Sequence, residues 1–103
     1  MYDLLEQADD WSNDFKLMGD RTRLRILVVL RYAGPRATTV TEIAETAGVR
    51  VPTASGALRA MEHMGAIKGE RFGREVRYSL VDERIHGILH DIGMRHGKDK
   101  DRD

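Results

Sequence analysis

Apolar residues along this 103-residue chain recur first at steps of three and four, then at steps of two, then again at three and four. Leu4, Ala8, Trp11, Phe15 and Met18 make one stripe of an amphipathic helix, while Asp3, Glu6, Asp9, Asp10 and Asp14 fall mostly off it. Gly19 ends that segment, and Asp20 is placed to cap a second helix by accepting a free first-turn amide. The second helix reads RTRLRILVVLRYAG, with Leu24, Leu27, Val28 and Arg31 in step, and Gly34-Pro35 stops it. Thr39 with Glu42 three residues on is a capping box that opens a short helix over residues 40–46, closed by Gly48 in a left-handed conformation. The next pattern, VPTASGALRAMEHMG, places Pro52 in its first turn, turns Ala54, Leu58 and Met61 inward, and ends at Gly65. Two helices joined by a short glycine-containing turn form a helix-turn-helix.

After Gly65 the period becomes two. Residues 66–71 and 74–80 flank Phe72-Gly73, a hairpin signal, with Val76, Tyr78 and Leu80 on one face and Glu75, Arg77 and Ser79 on the other. Asp82 caps a last helix whose apolar stripe is Ile85, Ile88, Leu89 and Ile92. The expected fold is mainly α with a small β-hairpin, in the order α-α-α-α-β-β-α.

Composition narrows the class. Apolar residues make up 41% and charged residues 33%, which suits one compact domain. With no cysteine there is no disulfide framework, thiolate metal site, iron–sulfur cluster, cysteine nucleophile or thiol redox sensor. No apolar run approaches the roughly 18 residues of a membrane span, and the acidic start MYDLLEQADD lacks the basic opening of a signal peptide. The sequence therefore reads as cytoplasmic and free of membrane contact. Without a glycine-rich phosphate loop, a nucleophile elbow or paired carboxylates beyond caps and surface acids, it does not read as an enzyme, and no cofactor is required.

Lysines and arginines number 17, as do aspartates and glutamates, but the zero sum hides a segregation. Residues 1–20 carry −5, residues 21–47 carry +3, residues 48–80 carry +3 and residues 81–103 carry −1. The middle of the chain is cationic and the ends are not, and a partner touching one face responds to that face alone.

Three stretches together resemble the ArsR/SmtB family of bacterial winged-helix regulators: Gly19-Asp-Arg-Thr-Arg-Leu-Arg-Ile-Leu27, the helix and turn Val40 to Gly48, and Val51-Pro-Thr-Ala-Ser-Gly-Ala-Leu-Arg59 with the hairpin Gly73 to Leu80. They span about residues 15–92. The resemblance implies a winged helix-turn-helix homodimer, joined through its first and last helices, that binds a palindromic operator in double-stranded DNA and represses transcription. On this map residues 1–97 are one winged-helix domain. Residues 1–18 and 82–97 are dimerisation helices with Leu4, Ala8, Trp11, Phe15, Ile85, Ile88, Leu89 and Ile92 at the interface. Residues 39–65 are the helix-turn-helix, 66–80 the wing and 98–103 a charged disordered tail.

The second helix of a helix-turn-helix fits the major groove with its early residues nearest the base edges. Those are Arg50, Val51, Thr53, Ala54 and Ser55, with Arg59 a turn further on; Arg71, Arg74 and Arg77 belong to the wing. Where family members carry bulky polar groups this chain has Gly56-Ala57. That departure, with the zero net charge, favours a competing reading, a winged-helix module that binds protein with little specific DNA binding.

Family metal sites do not carry over. The Cys-Val-Cys positions hold Thr39, Val40 and Thr41, and hydroxyls do not replace thiolates for thiophilic ions. The last-helix positions hold Asp82, Arg84, Arg95 and Lys98, three of them cations. Glu83, His86 and His90 nonetheless share a helix face at steps of three and four, and with His96 they make a candidate zinc, nickel or cobalt effector site. Such spacing also arises on an ordinary solvated face, and that reading takes precedence. A small-molecule inducer at the Trp11, Phe15 and Met18 stripe is the other option, but helical spacing favours ordinary core or interface packing there.

Overall fold

In the computed structural model, which describes residues 1–97, the elements run α1 (Tyr2–Met18), α2 (Arg21–Ala33), α3 (Val40–Ala47), α4 (Val51–His63), β1 (Ile67–Phe72), β2 (Glu75–Leu80) and α5 (Glu83–Asp91). The order is the expected one; the tail expected at 98–103, with Lys98, lies outside the described residues. No described helix is long and apolar enough to cross a membrane.

Local chemistry sets the helix starts. The Asp20 carboxylate accepts from the Arg23 amide at 2.9 Å, and Asp82 accepts from the amides of Arg84 and Ile85 at 2.9 and 3.1 Å. The capping box forms as well: Thr39 Oγ1 accepts from the Glu42 amide at 3.4 Å, and Glu42 Oε1 accepts from the Thr39 amide at 2.9 Å. These bonds from the Thr39 backbone and hydroxyl hold the Glu42 carboxyl below its ordinary value of 4.5. Its contribution to stability is therefore full above the unfolded value and lost as pH falls through the lower folded one. Thr39→Ala should cost about 1 kcal/mol, lower the melting temperature by roughly 4–8 °C, and flatten the Glu42 part of the acid unfolding limb. A melting curve unchanged at neutral pH would contradict this.

Helix α2 runs through the middle, in contact with α1, α3, α4 and β2. The fully buried large side chains are Ile26, Leu27 and Leu30 of α2, Ile43 of α3, Leu58 and Met61 of α4, and Ile85 and Leu89 of α5. Burial of this kind, at roughly 25 cal/mol per Å² of apolar surface, is the main force holding the helices together. The hairpin pairs Ile67 with Leu80 at its base and Phe72 with Glu75 at its tip, and a single bridge from Thr38 to Tyr78 extends it by one rung.

Several expectations need correction. The hairpin loop is Gly73-Arg74 rather than Phe72-Gly73; Phe72 is already paired, and Gly73, at φ 63°, takes the first loop position, where a type II′ turn requires positive φ. Ser79, placed on the outer face by alternation, is buried because the 34–38 loop crosses it and the Arg36 amide donates to its Oγ at 2.9 Å. Helix α5 ends at Asp91 rather than 97: Gly93, at φ 90°, turns the chain back onto α2, where the buried Arg31 guanidinium donates to the Met94 carbonyl. Ile85 and Leu89 belong to the protomer core and not to an interface, leaving Ile88 half-buried and Ile92 exposed. On α1 only Leu17 and Met18 are buried, so Leu4, Ala8 and Phe15 are exposed in the protomer.

Candidate nucleic-acid interface

The turn between α3 and α4 is short because Gly48 adopts φ 72°, which brings the Val49 amide to the Ala44 carbonyl at 2.9 Å. Arg25 of α2 secures the same corner, its Nε donating to the Ala47 carbonyl at 2.7 Å, a cation at a helix C-terminus. Pro52 lies in the first turn of α4, where its missing amide proton is not needed.

Helix α4 buries Ala54, Leu58 and Met61. Ala54, proposed above as a DNA contact, is fully buried and packs in the core. A helical step of 100° per residue then puts Pro52, Gly56, Arg59 and His63 on the ridge opposite the core, with Thr53 and Ser55 on its flanks. Arg50, Val51, Thr53 and Arg59 are exposed and Ser55 half-buried. Gly56 and His63 share that ridge with Arg59, as the inward positions 54, 58 and 61 already imply. A Cβ on Gly56 would meet nothing within 4 Å, so no internal contact demands a glycine there. The position instead brings bare backbone to the surface.

The wing does not bring its three arginines together. Register and alternation put Arg71 on the face of Val76 and Tyr78, and Arg77 on the face of Glu70 and Glu75. Arg71 and Arg74 are exposed. Arg77 is committed within the protein: its Nη2 donates to Glu75 Oε1 at 3.0 Å, and its guanidinium lies 5.8 Å from the Phe72 ring centre. An ion pair there leaves less charge for phosphate.

The expected metal set does not assemble within one protomer. Among the described residues no three histidine, aspartate or glutamate side chains are grouped to hold a metal ion. His86 and His96 do meet, rings 6.2 Å apart and 28° from parallel. Each spends one nitrogen on a carbonyl, His86 Nε2 on Leu80 at 3.0 Å and His96 Nδ1 on Arg31 at 3.1 Å. His90 is exposed, while Glu83 lines a groove of about 560 Å³ between α1 and α5 with Trp11, Phe15, Gly87, Ile88 and Asp91. At that groove the Arg84 guanidinium lies 4.2 Å from the Trp11 ring centre and pairs with Asp14 at 2.9 Å. Burial raises the Asp14 carboxyl above its usual range, against the lowering effect of Arg84. Met18, grouped with Trp11 and Phe15 as a pocket stripe, is instead in the core.

Comparison with known proteins matches residues 18–70 to a helix-turn-helix domain family. The chain is 37% identical to the HTH-type transcriptional regulator NmtR of Mycobacterium tuberculosis, over 82% of this chain and 68% of that protein. It is 34% identical to the cadmium resistance transcriptional regulatory protein CadC homolog of Staphylococcus aureus, over 78% and 64%. It thus spans about two thirds of the length of these relatives. A homodimeric winged helix-turn-helix DNA-binding domain from Mycobacterium bovis, a possible ArsR-family transcriptional regulator, superposes with a TM-score of 0.69 at 24% identity, over 85% of this chain and 79% of that one.

Proposed function

The chain belongs to the ArsR/SmtB family of winged helix-turn-helix regulators, and on that premise we propose that it is a homodimeric repressor that binds a palindromic operator and leaves it on an effector signal. The observation that carries this reading is the α3–α4 unit, whose core-facing residues are buried while Arg50, Thr53 and Arg59 are exposed, with the hairpin packed against α4. Arg50, Val51, Thr53, Ser55 and Arg59 take the base-edge role, and Arg71 and Arg74 the phosphate role. Arg77 stays paired with Glu75 and contributes less. The exposed apolar residues Leu4, Phe15 and Ile92, with the α1–α5 groove, face the second subunit. Two recognition helices then stand about 34–36 Å apart, one turn of duplex.

Arg74→Ala should weaken binding to all sequences alike and reduce the slope of log affinity against log salt by about one. Arg77→Ala should change both by less. Fluorescence anisotropy over a salt series separates the two, and an unchanged slope for Arg74→Ala would remove it from the interface.

A metal is the effector class that the relatives point to, since one of them is a cadmium resistance regulator. Among the described residues of the candidate set, His86 and His96 are the pair that comes together, so zinc, nickel or cobalt would draw further donors from the second subunit. Titrating each ion into the protein–DNA complex after chelator treatment tests this. Release of DNA at low excess with a raised melting temperature of the free protein supports a metal signal. An unchanged melting temperature and intact complex with all three ions contradict it.

A further inference from the structure

The recognition helix and the wing meet at a polar junction that the contacts above do not use. Glu62, in the last turn of α4, accepts a hydrogen bond at its Oε2 from the Gly69 amide of β1, at 2.9 Å. Gly69 pairs with Tyr78 across the hairpin. Both amides of this pair point away from the partner strand, as in a non-hydrogen-bonded pair, and the Tyr78 amide donates to the Thr38 carbonyl at 3.0 Å. At this position the outer edge of β1 is closed by a side chain from the recognition helix rather than by another strand.

The other side of Gly69 is equally constrained. A Cβ there would stand 2.9 Å from Tyr78 Cε1 and 3.0 Å from Val76 Cγ1, so the two side chains lie against bare backbone. Burial raises the Tyr78 phenol above its usual range, with Glu62 adding to that and Arg59 opposing it. Arg59, Glu62, Gly69 and Tyr78 therefore occupy one neighbourhood where α4 meets the hairpin. A carboxylate beside a DNA-binding surface is repelled by phosphate; here it is spent on a backbone amide of the wing.

We propose that Glu62 is a positioning residue that locks the wing at a fixed angle to the recognition helix, so that Arg59 and the wing arginines Arg71 and Arg74 reach the duplex together. The proposal rests on the DNA-binding reading above. It makes a prediction opposite in sign to simple electrostatics, by which deleting an acid near DNA tightens binding.

The test compares the full-length parent, Glu62→Ala and Glu62→Gln on DNA from upstream of the protein's own coding region, by anisotropy and hydroxyl-radical footprinting. Glu62→Gln keeps a carbonyl acceptor and should bind at least as well as the parent. Glu62→Ala should bind roughly tenfold more weakly, about 1.4 kcal/mol, with protection lost at the outer flanks contacted by the wing and kept over the central major grooves. Its melting temperature should stay close to the parent's, because the bond is exposed. Parent-like or tighter binding by Glu62→Ala, or weaker binding with the flanks still protected, would overturn the assignment. A parent that shows no preference for this DNA over random duplex would instead remove the repressor reading beneath it.

Discussion

Leu58→Ala is expected to lower the unfolding free energy by about 2–5 kcal/mol, a large share of the roughly 5–15 kcal/mol that holds a domain of this size folded. Leu58 is 1% exposed, and it sits with Met61 and Ala54 on the face of α4 that meets the rest of the core. Removing its branched end loses the transfer energy of the buried atoms and leaves a cavity that the neighbouring helices close only in part. The urea midpoint should fall with the slope unchanged, because the surface exposed on unfolding stays nearly the same. Arg59→Ala, one residue on and exposed, should move the midpoint little and act on DNA specificity instead, at about 1–3 kcal/mol of discrimination. A shift below about 1 kcal/mol for Leu58→Ala would mean that α4 is not anchored by this face.

The second large effect is on assembly. Phe15 is 57% exposed in the protomer, stacked beside Trp11 with ring centres 5.9 Å apart, in a groove that also carries Glu83 and Asp91. Phe15→Glu adds a third carboxylate to that groove and removes apolar area that a second subunit would cover. The protomer should keep its fold, since the replaced ring is not part of its core. The solution mass should fall to that of a monomer at micromolar concentration. Affinity for a two-half-site operator should drop by about 10²–10⁴, the advantage that linkage of two binding modules gives. A dimeric mass with parent-like binding would place the interface elsewhere.

Much of this architecture is legible in the residues because local rules and tertiary packing agree. Asp20, Thr39-Glu42, Gly48 and Asp82 each mark a helix end by a hydrogen bond or backbone geometry that depends on a few neighbouring residues, and each end lies where those residues put it. The differences arise where a distant segment intervenes. Alternation puts Ser79 outward, yet the 34–38 loop covers it. The stripe Ile85, Ile88, Leu89 and Ile92 gives one face to α5, but periodicity does not say whether that face meets its own core or a second subunit. In the structure Ile85 and Leu89 take the first and Ile92 remains exposed.

The candidate site divides in the same way. The exposed position of Arg50, Thr53 and Arg59 follows from the inward positions of α4. The pairing of Arg77 with Glu75 follows from the alternation that puts both on one face of β2, whereas the closure of β1 by Glu62 and the burial of Arg31 against the Met94 carbonyl depend on three-dimensional neighbours. The His86–His96 contact is of that kind too: it needs the turn at Gly93 to bring residues ten apart into register, whereas the i, i+4 spacing of His86 and His90 suggests a different pair.

The most direct test of the central claim is the affinity of the protein for DNA upstream of its own coding region against random duplex of equal length, at fixed salt and with chelator present. A sequence-specific repressor should prefer the upstream DNA by about 10³-fold or more, with affinity for both falling steeply as salt rises. Equal affinity for the two duplexes, at every salt concentration, would contradict the account and leave the winged helix as a module for binding protein.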